Sequence, residues 1–342
     1  SGSFVGDGSG LTGISGGSGG SGDYSPFVSG SVSSGILPTE GDNLCTIAAN
    51  STIAGGRINT ASAACSFIGA GLRNNITLQS FTSAIVTGER NTVSGSYNSA
   101  IVAGCCNLLN SVSGYYGGAD GASFSIIGSG LRNELNRTCY AAIISGLDNC
   151  LGPSAHCSFI GAGRFNTGSG NNNFIGTGCS NLIDTVTSYS SILNGCCNYL
   201  RASCATIVGG YNNCLACNII GGSTIAGGIN NHLFGDPGFI GAGISNKIEE
   251  NHGYNSIVGG ANNLISGSIE SSMKPAYSSV VGGQFNTGSA SYTFIGGGCR
   301  NTISSFSTGS AILGGYCNTI IGANATIAGG ILNTGSGACG FI

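Results

Sequence analysis

Charge is what this sequence has least of. Lys, Arg, Asp and Glu together make up 7% of its 342 residues, against about 25% in a typical soluble domain. The 10 basic residues are scattered and the net charge is -3, so no electrostatic footprint for nucleic acid or anionic membrane is present. The 13 acids are equally dispersed. A polysaccharide-cleaving β-helix enzyme would need charged groups clustered on one face, so an enzyme is not expected. His156, His232 and His252 recur beside neither acids nor a nucleophile, which leaves a hydrolase triad without support. Cys214-Leu215-Ala216-Cys217 has zinc-type spacing but no matching partner pair. No catalytic, cofactor or metal site is expected.

Long apolar runs are missing too. None approaches the roughly 18–20 residues of a bilayer-spanning helix, so membrane insertion is not expected. The start, Ser1-Gly2-Ser3-Phe4, lacks the basic opening of a signal peptide. The end, Cys339-Gly340-Phe341-Ile342, resembles the opening of Cys65-Ser66-Phe67-Ile68-Gly69. The start, which also lacks an initiator Met, reads as processed or as part of a longer chain, and the end reads as the opening of a further copy.

What is abundant is glycine, 64 residues, beside a hydrophobic content of 41%. Disordered segments are poor in apolar residues; here they recur in phase with the glycines. Seventeen times a short apolar run is followed by Gly-x-x-Asn. The motif ends at Asn59, Asn74, Asn91, Asn107, Asn133, Asn149, Asn166, Asn181, Asn198, Asn213, Asn231, Asn246, Asn263, Asn286, Asn301, Asn318 and Asn333. The copies start 15 to 18 residues apart except across two longer intervals, 107 to 133 and 263 to 286. A repeat this short and persistent points to a solenoid.

Each copy holds two strand-sized pieces, such as Ser66-Phe67-Ile68 and Asn74-Asn75-Ile76-Thr77. Gly and Asn both tolerate positive φ, which suits the pair to a tight corner between short strands. Helix is disfavoured by the interior glycines and the lack of a 3.6-residue apolar stripe. The expected fold is an all-β parallel β-solenoid, or β-roll, of coils about 16 residues long, with the seventeen Asn side chains stacked as a ladder. Seventeen coils at roughly 4.8 Å each would make a rod of about 80 Å. The alternation of short and long spacings also leaves coils of two copies open.

Residues 1–44 stand apart as a Gly/Ser-rich neck or junction, with a flexible linker at 15–22; 45–342 form the repeat domain. The two long intervals read as surface insertions, the natural places for a binding surface. Tyr115 and Tyr116 lie in the first and Tyr277 in the second, and such aromatics suit contact with sugars. Among the 16 cysteines, Cys105-Cys106 and Cys196-Cys197 occupy the variable positions of Gly-x-x-Asn. Cys179 and Cys196 share one slot in adjacent copies, within disulfide reach if coils stack. The competing reading is of free thiols filling a ladder.

The repeat, as in Asn255-Ser256-Ile257-Val258-Gly259-Gly260-Ala261-Asn262-Asn263-Leu264-Ile265-Ser266-Gly267, resembles the YadA-like head repeats of trimeric autotransporter adhesins. It differs in being one to three residues longer and in having Asn rather than Ser at the corner. Phe4-Val5-Gly6-Asp7-Gly8-Ser9-Gly10-Leu11-Thr12 looks like a segment recurring in phage tail-fibre proteins. These resemblances imply a homo-oligomeric, trimeric extracellular fibre, on a cell surface or a virion, whose surface or tip meets another cell; the aromatics of the insertions suit cell-surface carbohydrate as the partner there. The alternative is a monomeric ice- or carbohydrate-binding solenoid. Thr60, Thr92, Thr302 and Thr319 occur irregularly beside the repeat, short of the continuous face that ice binding would need.

Overall fold

The computed structural model describes residues 27–29, 36–38, 43–45, 50–110, 124–216, 222–235, 237–249, 253–266 and 277–342. Over them the chain winds as a parallel β-solenoid with no helix. Every copy contributes one strand to each of two sheets, of 19 and 18 strands. Phe67–Ile68 pairs in parallel with Ala84–Ile85, and Asn75–Ile76 pairs with Thr92–Ser94. Neighbours in a sheet are successive copies throughout, so one coil is one copy. The two-copy coil is thereby excluded.

Alternation within these very short strands sorts the side chains. In the first sheet the second strand residue points inward: Ile53, Ile68, Ile85, Ile101 and their successors are fully buried, in stacked ranks of isoleucine. In the second sheet the inward rank runs through Ile76, Val93, Leu109, Leu135 and Leu151. A coil has at most these two large apolar groups inside it, with Ala61, Gly168 or Gly288 taking the second place in some coils, and cannot close a core alone. The interior is continuous because the coils above and below cover each rank.

The two long intervals do not interrupt the stack. Ala100–Ile101 pairs with Ile126–Ile127, Leu108–Asn110 with Glu134–Asn136, and Leu264–Ile265 with Thr287–Gly288. At the N-terminal end the stack begins earlier than the boundary after residue 44. Ile36–Pro38 pairs in parallel with Thr52–Ile53, Phe27–Ser29 lies antiparallel on Ile36–Pro38, and Asn43 is a rung of the Asn ladder. The neck as read from the sequence therefore includes part of the first coil; residues 1–26 lie outside the described residues. From Asn43 to Asn333 is seventeen steps, or about 80 Å at roughly 4.8 Å per step.

Candidate functional site

The two corners of each coil build the surfaces that could do chemistry or meet a partner. At the first corner the repeat glycine has φ between 82° and 116°, as at Gly71, Gly146 and Gly283. A Cβ on Gly71 would run into the Gly88 carbonyl and the Asn74 amide. The second left-handed residue of the corner is not the expected one. None of Asn59, Asn74, Asn91, Asn107, Asn133, Asn149, Asn166, Asn181, Asn198, Asn213, Asn231, Asn246, Asn263, Asn286, Asn301, Asn318 and Asn333 has a positive φ. The residue before each Asn takes that conformation instead: Ile58, Arg73, Arg90, Cys106, Phe165 and so on, near φ 55°.

Hydrogen bonding explains the arrangement. In the strands N–H groups point to the next coil, as Thr52 N–H does to the Ser66 carbonyl (2.9 Å). A left-handed residue reverses that direction, and Arg73 N–H donates back to the Arg57 carbonyl (3.0 Å). The following N–H, that of Asn74, also points backward, and there the Asn59 Oδ1 receives it at 2.9 Å. Asn74 Nδ2 donates to the Ala70 carbonyl (3.1 Å) and the Gly88 carbonyl (2.8 Å), and Asn74 Oδ1 accepts from Asn91 N–H (3.0 Å). An amide offers one acceptor and two donors on one plane, and the corner uses all three.

The corner asparagines are linked from coil to coil through backbone N–H groups. Asn107 N–H donates to Asn91 Oδ1, Asn149 to Asn133, Asn166 to Asn149 and Asn181 to Asn166, at 3.0 to 3.1 Å. Farther along, Asn213 donates to Asn198, Asn231 to Asn213, Asn246 to Asn231 and Asn263 to Asn246 in the same way. Asn301 donates to Asn286, Asn318 to Asn301 and Asn333 to Asn318, each at 3.0 Å. The insertions are crossed at 2.9 Å, from Asn133 to Asn107, and 3.1 Å, from Asn286 to Asn263. All of these asparagines except the terminal Asn333 are buried, so the ladder is part of the frame and presents nothing to a partner.

A second ladder, without a counterpart in the sequence motif, runs along the opposite corner. Cys65, Thr82, Asn98, Tyr140 and Asn172 are left-handed there, each followed by a small buried residue. Ser99 N–H donates back to Ser83 Oγ (3.3 Å), and Asn173 N–H donates to Ser158 Oγ (3.0 Å). The signal was present as a serine opening ten of the apolar runs, at 51, 66, 83, 99, 125, 158, 190, 223, 278 and 310.

Aromatic side chains occupy part of this second ridge. Tyr254, Tyr277 and Tyr292 are left-handed residues of three successive coils, 62%, 55% and 60% exposed. Their rings lie 5.0 and 5.4 Å apart and within 8° of parallel, a stacked row. Phe124 and Tyr140 repeat the arrangement at 5.2 Å. Tyr277 is thus a corner residue of the coil after the insertion. Tyr115 and Tyr116 lie outside the described residues. A left-handed aromatic costs about 1–3 kcal/mol, whereas Asn98, Asn172 and Asn324 fill the same slot with a residue suited to that conformation. The coil itself does not require tyrosine here.

The outward face of the first sheet carries a large apolar side chain in most coils; those with Thr52 and Ala54, Thr224 and Ala226, and Thr326 and Ala328 are the exceptions. Six coils carry Phe or Ile followed two residues later by Gly (67, 126, 159, 174, 239, 294). The phenylalanine ring lies over that glycine, its edge 3.3 Å from where a Gly69 or Gly176 Cβ would be. Eight other coils reverse the sizes, with Ala, Ser or Thr first and then an aliphatic residue: Val86, Val102, Ile144, Leu193, Val208, Val258, Val281 and Leu313, all exposed. Either way, each of these coils presents one large apolar group to solvent.

Cys179 and Cys196 stand opposite one another as a parallel bridge between adjacent coils, and both are free thiols. Cys196 Sγ lies 3.3 Å from Cys197 Sγ, and Arg164 Nε donates to Cys179 Sγ at 3.3 Å. Hydrogen bonds from Ser180 and Arg164 hold the Cys179 thiol below its usual range. Cys196, hydrogen-bonded to Cys197 and desolvated, is pushed up to about 11. The similar pair Cys105–Cys106, 3.2 Å apart, faces Glu89, and Cys105 is shifted upward, chiefly by its bond to Cys106.

Among the described residues no three His, Cys, Asp or Glu converge to hold a metal, and no helix is long and apolar enough to cross a membrane. Cys217 and His252 lie outside the described residues. His156 accepts the Cys139 N–H through Nδ1 (3.0 Å), and burial lowers its pKa. His232 stands in the outward rank of the second sheet between Cys214 and Lys247. That rank also contains an unbroken run of four threonines, Thr287, Thr302, Thr319 and Thr334, which register brings together. No protein-family model matches the chain, and a search of the curated proteins finds no match.

Proposed function

We propose that this chain is a structural segment of an extracellular or virion fibre. It supplies length and rigidity and presents an adhesive surface. The observation that carries the reading is the outward face of the first sheet, where fourteen coils each hold one large apolar side chain. Contiguous exposed apolar surface of this extent marks an interaction site. Fourteen such coils each offer a partner one large apolar side chain, the composition of an interface core. A partner covering it must repeat about every 4.8 Å, which a second copy of this chain does. The likeness to YadA-like head repeats and to phage tail-fibre segments favours three copies.

The tyrosine row is the adhesive surface in this reading. Stacked rings expose their edges and hydroxyls in a line, suited to the mixed apolar and hydroxyl character of a neutral cell-surface carbohydrate. Light scattering of the purified chain tests the assembly: a trimer, seen as a rod by negative-stain imaging, is expected, and a monomer at micromolar concentration overturns it. Retention on immobilised neutral polysaccharides tests the row, with loss expected on replacing Tyr254, Tyr277 and Tyr292 by Ala.

The four-rung threonine rank favours one second reading, a monomeric ice-binding solenoid. Inhibition of ice recrystallisation by a light-scattering monomer, abolished by Thr302→Tyr, would support it over the fibre.

A further inference from the structure

The cysteines at the first corner are used by none of the functions above, and at one place they form more than a ladder. Three thiols gather where two coils meet. Cys179 and Cys196 face each other in register, and Cys197 follows with its N–H on the Cys179 carbonyl at 2.9 Å. Residues opposed across neighbouring strands have Cα atoms about 4.8 Å apart, inside the range a disulfide spans. Arg164, one coil earlier, places a guanidinium N–H on the Cys179 sulfur. No other cysteine in the described residues combines these features. Cys105–Cys106 is a vicinal pair beside the Glu89 carboxylate. Cys299 bridges to Tyr316, which leaves Cys317 one slot out of register.

The geometry points to a redox modification site in which Cys179 is the attacking thiol and Cys196 the resolving one, joined by reaction with a small-molecule disulfide into a staple between two coils. The thiolate is the nucleophile in such exchange, and the cation and the Ser180 hydroxyl beside Cys179 favour it. In the first step the Cys179 sulfur attacks one sulfur of the oxidant RSSR. The S–S bond breaks, a mixed disulfide Cys179–S–SR forms, and RS⁻ leaves and takes up a proton. In the second step Cys196 gives its proton to solvent and attacks the Cys179 sulfur, expelling the second RS⁻. The protein loses two electrons and two protons, and RSSR becomes two RSH. Because the Cys196 thiol is the reluctant partner, the second step is the slower one and the mixed disulfide is an observable intermediate.

Glutathione disulfide is the probe. The folded full-length chain is incubated with it, quenched with an alkylating agent at successive times, digested and mapped by mass spectrometry. Cys179 is expected to gain one glutathione first, followed by a Cys179–Cys196 cross-link. Cys105, Cys106, Cys299 and Cys317 are expected to stay alkylatable over the same period. Cys196→Ser should arrest the reaction at glutathionylated Cys179. Arg164→Gln should slow the first step several-fold, with circular dichroism of both variants checking that the coils remain. A first linkage at Cys196–Cys197 or Cys105–Cys106, or equal reaction of all exposed thiols, overturns the assignment. So does an Arg164→Gln chain that folds and reacts at the wild-type rate.

Discussion

The Gly and Asn of each corner solve different problems, although both were legible as one motif. Residue preference alone makes both of them candidates for positive φ. Only the glycine adopts it; the Asn follows a left-handed residue of almost any type and supplies the acceptor that the reversed N–H needs. That part was illegible because an inter-coil acceptor has no signature in sequence spacing. Two tests separate the roles. Gly227 and Gly228 are neighbours, but a Cβ on Gly227 meets open space, while one on Gly228 (φ +92°) meets the Gly243 carbonyl. Gly228→Ala is expected to cost at least about 2–3 kcal/mol and Gly227→Ala no more than about 0.5 kcal/mol, as read by denaturant titration. Asn181→Asp keeps the acceptor for Asn198 but loses donors to the Thr177 and Gly195 carbonyls. It should cost about 3 kcal/mol or more, because it buries a charge against carbonyl oxygens.

At the scale of the strand and turn, the two strands per coil and their inward isoleucines were readable from composition and period. The outward ranks were not. The exchange of Phe-x-Gly for Ala-x-Val conserves the volume of a layer while changing both residues that make it, so a reading of single positions sees only noise. Thr302 and Thr319 likewise looked irregular until register placed them between Thr287 and Thr334. Turns carry local polar clamps, and one gives a pH prediction. After the strand Leu182–Ile183, Asp184 accepts the Tyr199 hydroxyl (2.8 Å) and the Thr185 N–H (2.6 Å), with Arg201 at 3.7 Å. The phenol is the largest of the influences that lower its pKa. A depressed carboxylate contributes stability that is present above the ordinary value of about 3.9 and is lost as pH falls through the lower folded value. Tyr199→Phe should therefore raise the Asp184 pKa in an NMR titration and remove part of the acid dependence of stability below about pH 4.

Over the whole molecule, stability is a sum of contacts between neighbouring coils, so substitutions on an outward face leave the stack itself almost untouched. That separates folding from assembly. Leu193 and Val208 are exposed in successive coils of the first sheet, Leu193 N–H bonding to the Ile207 carbonyl and Val208 N–H to Ile225, through backbone alone. Replacing both with Lys keeps those bonds and the buried Ile192 and Ile207. The thermal midpoint of the isolated coil stack should move little. If the face is covered by a second copy, the substitution places two ammonium groups in each apolar interface of an otherwise nearly uncharged surface. Desolvating them costs more than the lost contacts. Light scattering should then show monomers where the unmodified chain forms oligomers. If the unmodified and doubly substituted chains have the same mass, the apolar face faces something other than this chain.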